Sequence, residues 1–309
     1  MGSTNAAGWA RYLINFSYIG SPFRGSQRQV TRRIANLDDP STVQGRLEMG
    51  LKRLRPVNNP IVFMASRTDA GVHALNTTCH VDLQSCNNMI FEPQNITLCL
   101  NRYFTKEELP IRVLSTKLVL NDFHCKKSAI SRTYLYRVIL LKYDEDITTT
   151  LLRFLPIEEF KRCHFYGAKT IDIDLMRESA KLFEGVHDFR TFKSKSNDEP
   201  KSTVKEIERI DIIEKRMTDI GISADFSWPR NALQNVDSNT YTFLDIYFKG
   251  KGFLYKQVRR CGAAILAAGT GIVDLKDIRC MLQVPSVNSW NPRIRTLPPH
   301  GLYLCNIEY

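Results

Sequence analysis

Between two apolar runs, Ile61 to Ala65 and Thr77 to Leu83, lies the nonapeptide Ser66-Arg67-Thr68-Asp69-Ala70-Gly71-Val72-His73-Ala74. Both runs have the length of strands, so the nonapeptide predicts a connecting loop, and it holds the residue types that chemistry needs. Asp69 follows Arg67 by two positions. In extended backbone their side chains share a side, and the guanidinium then favours the ionised carboxylate near neutral pH. Gly71 permits a positive φ or a close backbone approach. A carboxylate held this way can act as a nucleophile beside a polyanionic substrate. For an arbitrary Arg-x-Asp the alternative is a surface ion pair closing a turn. Gly71 as a turn residue and His73 as a satisfied histidine at a strand entry need no catalytic role, and the residues alone leave Asp69 open between an ion pair and a nucleophile.

The elements that must position this loop follow from periodicity. Arg11 to Tyr18 predicts the first strand, because Tyr12, Ile14, Phe16 and Tyr18 alternate with less apolar partners. Gly20, Ser21, Pro22 and Gly25 then break it, and Gln27 to Pro40, with Arg28, Arg32 and Arg33, predicts an exposed basic loop. Ser41-Thr42-Val43-Gln44 reads as a capping box, followed by Val43, Leu47, Leu51 and Leu54 on one helical face, with Pro56 as the stop. After the Asp69 loop and its flanking strands, Phe91 to Tyr103 predicts a helix and Ile111 to Leu120 a strand. Strand, helix, strand, strand, helix, strand is an α+β order in which helices cover one face of an antiparallel sheet.

The second half predicts a similar plan. Arg132 to Leu141 is rich in strand formers. Ile173 to Glu184 is a helix that starts after Asp172 and stops at Gly185. Val204 to Ile213 and Thr240 to Lys249 are strands, with the irregular stretch Met217 to Asn239 between them. Leu254 to Ala268 is a helix with Leu254, Val258, Gly262 and Ile265 on one face. Asp274 to Gln283 is a short helix and Leu302 to Glu308 a closing strand. The expected fold is α+β with two similar subdomains, 1–120 and 121–309, whose antiparallel sheets are covered by helices and face a central basic cleft.

Composition narrows the partners. The chain has 309 residues, enough for two packed subdomains, and 43 Lys and Arg against 32 Asp and Glu give a net charge of +11. That excess favours a polyanionic partner, with nucleic acid the first candidate. Eight cysteines are scattered without a C-x-x-C pair, which predicts reduced thiols of an intracellular protein and neither a zinc site nor a disulfide scaffold. No apolar run approaches the roughly 20 residues of a membrane span, and no signal peptide is expected. The opening residues MGSTNAAGWAR leave mitochondrion and cytoplasm both open.

Several stretches resemble one family. Ser66 to Ala74 is similar to the signature of the TruA family of transfer-RNA pseudouridine synthases, whose usual form has Gly where Ser66 stands. Ser131-Arg132-Thr133-Tyr134-Leu135-Tyr136 resembles the family's Arg-x-Tyr-x-Tyr, whose first tyrosine, here Tyr134, contacts the base. Gly185 to Phe192 resembles its Gly-x-x-Asp-Phe-x-x-Phe turn, read as packing, with Lys193, Lys195 and Lys201 behind it in a charged loop. Gly252 to Arg260 resembles the motif that carries a basic residue into the active site, and that match selects Arg259. Consecutive arginines on a helix diverge by about 100°, so spacing alone leaves Arg259 and Arg260 open. In Gly301-Leu302-Tyr303-Leu304 the family pattern places an apolar residue, Leu302, near the nucleophile. One departure stands out: the family usually has tryptophan before its Gln-Arg-Gln, and here Ser26 precedes Gln27-Arg28-Gln29. The general look is closest to a eukaryotic branch of the family.

The resemblance implies isomerisation of uridine to pseudouridine in transfer RNA, and other RNA as a further substrate class. The N-glycosidic bond is broken, the uracil rotates, and it is rejoined through carbon. A carboxylate starts this by attacking the sugar carbon or the base, or by removing a sugar proton. Asp69 fills that role and Tyr134 retains the detached base. Arg67 occupies the space the flipped nucleotide vacates, and phosphate neutralisation supplies affinity. Neither a cofactor nor a metal is expected, and a homodimer is. A catalytically silent RNA-binding relative and a carboxylate-dependent, base-excising glycosidase are the alternatives.

Overall fold

The structure is a computed structural model that describes residues 8–28, 38–86, 89–142, 157–196, 202–215 and 241–309. Most of the expected basic loop Gln27 to Pro40, all of Met217 to Asn239, and Lys201 lie outside the described residues. The chain divides into two compact units, Met1–Arg132 with Leu304–Tyr309, and Thr133–Tyr303.

The first unit carries β1 (Trp9–Tyr18), α1 (Val43–Leu51), β2 (Phe63–Met64), β3 (His73–Gln84), α2 (Pro93–Lys106) and β4 (Ile111–Val119). β1 lies between β3 and β4, antiparallel to both, with Ile14 opposite Cys79 on one side and Thr116 on the other. The period of two then selects the faces. Tyr12, Ile14, Phe16, Cys79, Val81 and Leu83 are buried together with Val43, Leu47 and Leu51 of α1 and Ile96, Leu100 and Phe104 of α2. At about 25 cal/mol per Å² of apolar surface removed from water, these helix faces are the main reason the sheet is covered on that side. α1 and α2 meet at Gly50, where an added Cβ would lie 2.7 Å from Leu100 and 2.9 Å from Tyr103.

On the opposite face Arg11 grips Asp82 through Nε and Nη2 at 2.7 and 2.8 Å and donates from Nη1 to the Asn121 and Phe123 carbonyls. Arg132 donates to the carbonyls of Ala65 and Lys126. Ile130 N–H and the Ser131 hydroxyl reach the Glu308 carbonyl and carboxylate. These ties hold residues 121–132 in the first unit, past the expected division at 120.

The second unit contains β5 (Ser131–Lys142, from Thr133 on), β6 (His164–Ala168), α3 (Ile173–Lys181), β7 (Gly185–Asp188), β8 (Val204–Ile207), β9 (Arg209–Lys215), β10 (Tyr241–Gly250), α4 (Gln257–Gly269), α5 (Leu275–Gln283) and the start of β11 (Leu302–Glu308). β5 and β10 are neighbours, β9 pairs antiparallel with β10, and β6 runs parallel to β5. Residues 304–308 of β11 belong to the first unit and extend its sheet from β3. α3 packs on α4 so closely that a Cβ at Gly269 would sit 2.2 Å from Met176 Cγ. Within β10, Asp245 is fully buried between Arg137 at 2.9 Å and Lys215 at 2.7 Å, so its charge is compensated twice. No helix among the described residues is long and apolar enough to cross a membrane. Mostly antiparallel strands with five described helices make the chain α+β, as expected.

Several local expectations are corrected. The helix after residue 40 has no capping box at Ser41, because the Ser41 hydroxyl donates to Asp39 instead. Thr42 is the N-cap and accepts from Gly45 N–H at 3.2 Å, one residue later. Leu54 lies in a following 3₁₀ turn, Lys52–Leu54, which Arg55 ends at φ 53°. Of Ile61 to Ala65 only Phe63 and Met64 pair as strand. Val204 to Ile213 is two strands, since β8 pairs with β7 in a separate ribbon and β9 with β10. Helix α4 starts at Gln257, after Lys256 takes a left-handed conformation at φ 59°.

Burial gives the fold a pH dependence. Burial lowers His80 from its ordinary 6.5 to about 4, and burial together with the neighbouring His300 lowers His164 to about 4. Between those values the unfolded chain binds more protons than the folded one, so stability is complete above pH 6.5 and falls as pH drops toward 4. His80→Asn, which has no proton to take up, should show a smaller fall in melting temperature between pH 7.5 and 4.5 than the unsubstituted chain. An equal fall would show that His80 is not a source of the dependence.

Candidate active site

In the first unit the loop after β2 carries Arg67, Thr68 and Asp69. Thr68 is buried between an exposed Arg67 and a half-buried Asp69, the alternation that leaves both charged side chains on the outer side. A turn follows, closed by Val72 N–H donating to the Asp69 carbonyl at 3.2 Å, and Gly71 sits in it at φ 80°, a value that suits glycine. His73 is completely buried and its Nδ1 accepts from Gly20 N–H at 3.0 Å, so it is the satisfied histidine expected. Gly20 cannot be replaced without moving the loop: a Cβ there would lie 1.9 Å from the Val72 carbonyl oxygen.

Thr68 is held on every polar group. Its N–H donates to Ser26 Oγ at 2.8 Å, its carbonyl accepts from Ser26 N–H at 3.1 Å, and its hydroxyl shares a hydrogen bond of 2.7 Å with Tyr18 Oη. The segment before the loop is held equally firmly. Val62 donates its N–H to Glu48 Oε1 and accepts from Gln44 Nε2, both at 3.0 Å, so two side chains of α1 imitate a neighbouring strand. Burial raises Glu48 from its ordinary value, while Val62 N–H, Gln44 and Arg28 oppose the rise. Sequence reasoning missed Tyr18, Ser26, Gln44 and Glu48 as supports of the loop. The one available signal was Ser26, standing where tryptophan is usual.

In the second unit Tyr134 and Tyr136 separate. Tyr136 is fully buried and its hydroxyl donates to the Pro298 carbonyl at 2.8 Å. Tyr134 is 7% exposed and packs edge-to-face with Phe253, ring centres 5.3 Å apart, so the motif on β5 meets the motif that opens α4. The two arginines of α4 diverge. Arg259 is 8% exposed and donates from Nε to the Leu297 carbonyl at 2.7 Å. Arg260 donates to the Thr191 and Lys193 carbonyls and lies 4.3 Å over the Trp290 ring, and burial lowers its pKa. The segment from Leu297 to Leu302 thus gathers Arg259, Tyr136 and Leu302. Gly301 allows this because a Cβ there would meet Tyr136 and the Arg137 carbonyl at 2.8 Å. Phe189 and Phe192 are core, and Lys193 is buried, not solvated; Lys195 is exposed.

Among the described residues the group that could hold a metal is His80, His124 and Cys125, whose donor atoms lie within 4.8 Å of one another. Sequence spacing hid it, since His80 comes from β3 and the others from the segment laid across it. His80 Nδ1 accepts the Cys125 N–H at 3.4 Å, the Cys125 thiol donates to the Phe63 carbonyl at 3.1 Å, and burial pushes that thiol up to about 11. His80 and Cys125 are spent on each other and on Phe63, and His124 Nδ1 accepts the Lys126 N–H at 3.2 Å, an arrangement that pins the crossing segment to the strand.

A family model described as tRNA pseudouridine synthase matches residues 179–309, the part that holds α4 and β11. The tRNA pseudouridine synthase-like 1 of Xenopus laevis is 31% identical over 303 residues, covering 97% of this chain and 91% of the relative. The Homo sapiens protein of the same name is 32% identical over 311 residues, covering 97% and 90%. The tRNA pseudouridine synthase A of Dinoroseobacter shibae is 31% identical over 299 residues, covering 97% and 96%. The chain belongs to the tRNA pseudouridine synthase family. Its likeness to family members spans both units, so the Asp69 loop and the Tyr134 and Arg259 motifs fall within one full-length relationship.

Tyr136→Phe strips the partner from a buried carbonyl and should cost about 1–3 kcal/mol of stability. Chemical denaturation measures the loss, and an unchanged unfolding midpoint would remove the Tyr136 hydroxyl from that role.

Proposed function

We propose that the protein isomerises uridine to pseudouridine in transfer RNA with Asp69 as the nucleophile. The observation that carries this is a half-buried carboxylate beside the immobilised Thr68, in the Ser66–Ala74 motif of a chain of which 97% aligns with a family member. The reaction conserves atoms: the bond from the sugar carbon to N1 breaks, a bond from the same carbon to C5 forms, and the C5 proton is exchanged for one on N1. No oxidant, reductant or second substrate enters. Asp69 begins it by attack on the sugar carbon or the base, or by taking a sugar proton, and leaves it unchanged.

Arg67, exposed one residue before Thr68, is suited to fill the stack from which the nucleotide is drawn. Tyr134 offers the released uracil an aromatic surface, supported by its fixed contact with Phe253. Arg259 supplies the positive charge that favours an anionic intermediate, and Leu302 the apolar wall. The net charge of +11 supports binding to a phosphate backbone. The protein acts as a homodimer on the same resemblance, and light scattering that reads one chain at working concentration would refute that.

With uridine-labelled transfer RNA the products separate the alternatives: pseudouridine supports isomerisation, free uracil a glycosidase, and no change a silent binder. Asp69→Asn keeps the shape of the side chain and loses its nucleophilicity, so isomerisation should vanish while RNA affinity stays within about threefold. Activity within about tenfold of the unsubstituted protein would remove Asp69 from that role. In the same assay Arg259→Ala should slow the reaction more than it weakens binding; equal losses would make Arg259 a phosphate contact.

A further inference from the structure

We propose that Ser26 is a positioning residue that sets where the Asp69 carboxylate stands. The inference rests on the reading of Asp69 as the nucleophile. Ser26 is 1% exposed, and its polar atoms form a bridge. Ser26 N–H donates to the Thr68 carbonyl at 3.1 Å, Ser26 Oγ accepts the Thr68 N–H at 2.8 Å, and its hydroxyl faces the same carbonyl at 3.4 Å. The Ser26 carbonyl accepts Gln44 N–H at 2.9 Å, and the Gly25 carbonyl accepts Val43 N–H at 3.3 Å. The first turn of α1 is therefore coupled through Ser26 to the peptide that precedes Asp69.

The approach has been made possible by Gly25, which holds φ 133°; a Cβ there would stand 3.3 Å from the Thr68 carbonyl oxygen. Tyr18 fixes the Thr68 hydroxyl from β1. The peptide entering Asp69 then has three anchors, from β1, from the 25–26 turn and, through that turn, from α1. The turn leaving Asp69 is closed by Val72 and backed by Gly20 against His73. A nucleophile must be held within about 0.5 Å of its productive position by groups that do not touch the substrate. Ser26 touches neither the carboxylate nor any reacting atom by this account; it acts through Thr68.

The test compares Ser26→Ala and Ser26→Cys with the unsubstituted protein and with Asp69→Asn. Single-turnover isomerisation at saturating enzyme is measured beside transfer-RNA affinity and thermal unfolding. Ser26→Ala should lower the single-turnover rate on the order of 10- to 100-fold, with affinity changed by less than about threefold. Ser26→Cys keeps the size and a weaker acceptor, so its rate should lie between the two, which keeps the proposal testable even where Ser26→Ala fails to fold. Rates for both folded variants within about threefold of the unsubstituted protein, or equal losses of rate and affinity, would overturn the proposal. Should Asp69→Asn also remain active, the failure belongs to the nucleophile reading. An inactive Asp69→Asn beside fully active Ser26 variants would sink the Ser26 inference alone.

Discussion

The position of the Asp69 carboxylate depends on the peptide that carries it, and the peptide just before it is that of Thr68. Its buried N–H, carbonyl and hydroxyl must all find partners or pay the cost of desolvation, and all three find them in Ser26 and Tyr18. Much of the first unit follows from that need. β1 must run far enough to bring Tyr18 to the loop, the glycines at 20 and 25 must let two backbones approach, and α1 must begin beside Ser26. Gln44 and Glu48 extend the same logic by pairing with Val62, where the chain is too short to form a longer strand.

Both units use charge with the same economy. A net +11 suggests a surface made for phosphate, but several of the cations are structural. Arg11 holds Asp82, Arg137 holds Asp245, and Arg132 and Arg260 bind carbonyls. Guanidinium suits these places because its planar array of donors can satisfy two or more acceptors at once. Arg259 shows the same use: its Nε is tied to the Leu297 carbonyl, which orients the rest of the group. The charge available to a polyanion is what remains after these internal uses.

Where local signals agreed with one another, the elements formed where the residues said they would. Asp172 and Asp274 cap their helices, Tyr12, Ile14 and Phe16 face the core, and His73 is a buried, satisfied strand residue. Where signals were local but a partner was distant, the outcome moved. Ser41 lost the cap to Thr42 because Asp39 took its hydroxyl, and Val204 to Ile213 broke at Glu208 because its halves pair with different strands. Tyr134 and Tyr136 were equivalent by alternation until Pro298 claimed the second hydroxyl.

By itself the sequence determined the α+β order, the strand faces, the Arg-x-Asp loop and the family to which its motifs belong, because each of these is encoded within a turn or a strand of contiguous residues. Only the tertiary structure decided that Ser26 supports Thr68 across 42 positions, that Arg259 and Tyr136 share the segment from Leu297 to Leu302, and that His80 meets Cys125. Hydrogen bonds have reach of about 3 Å in space and none along the chain. A buried serine therefore carries no mark of its partner until the backbone has folded and brought the two together.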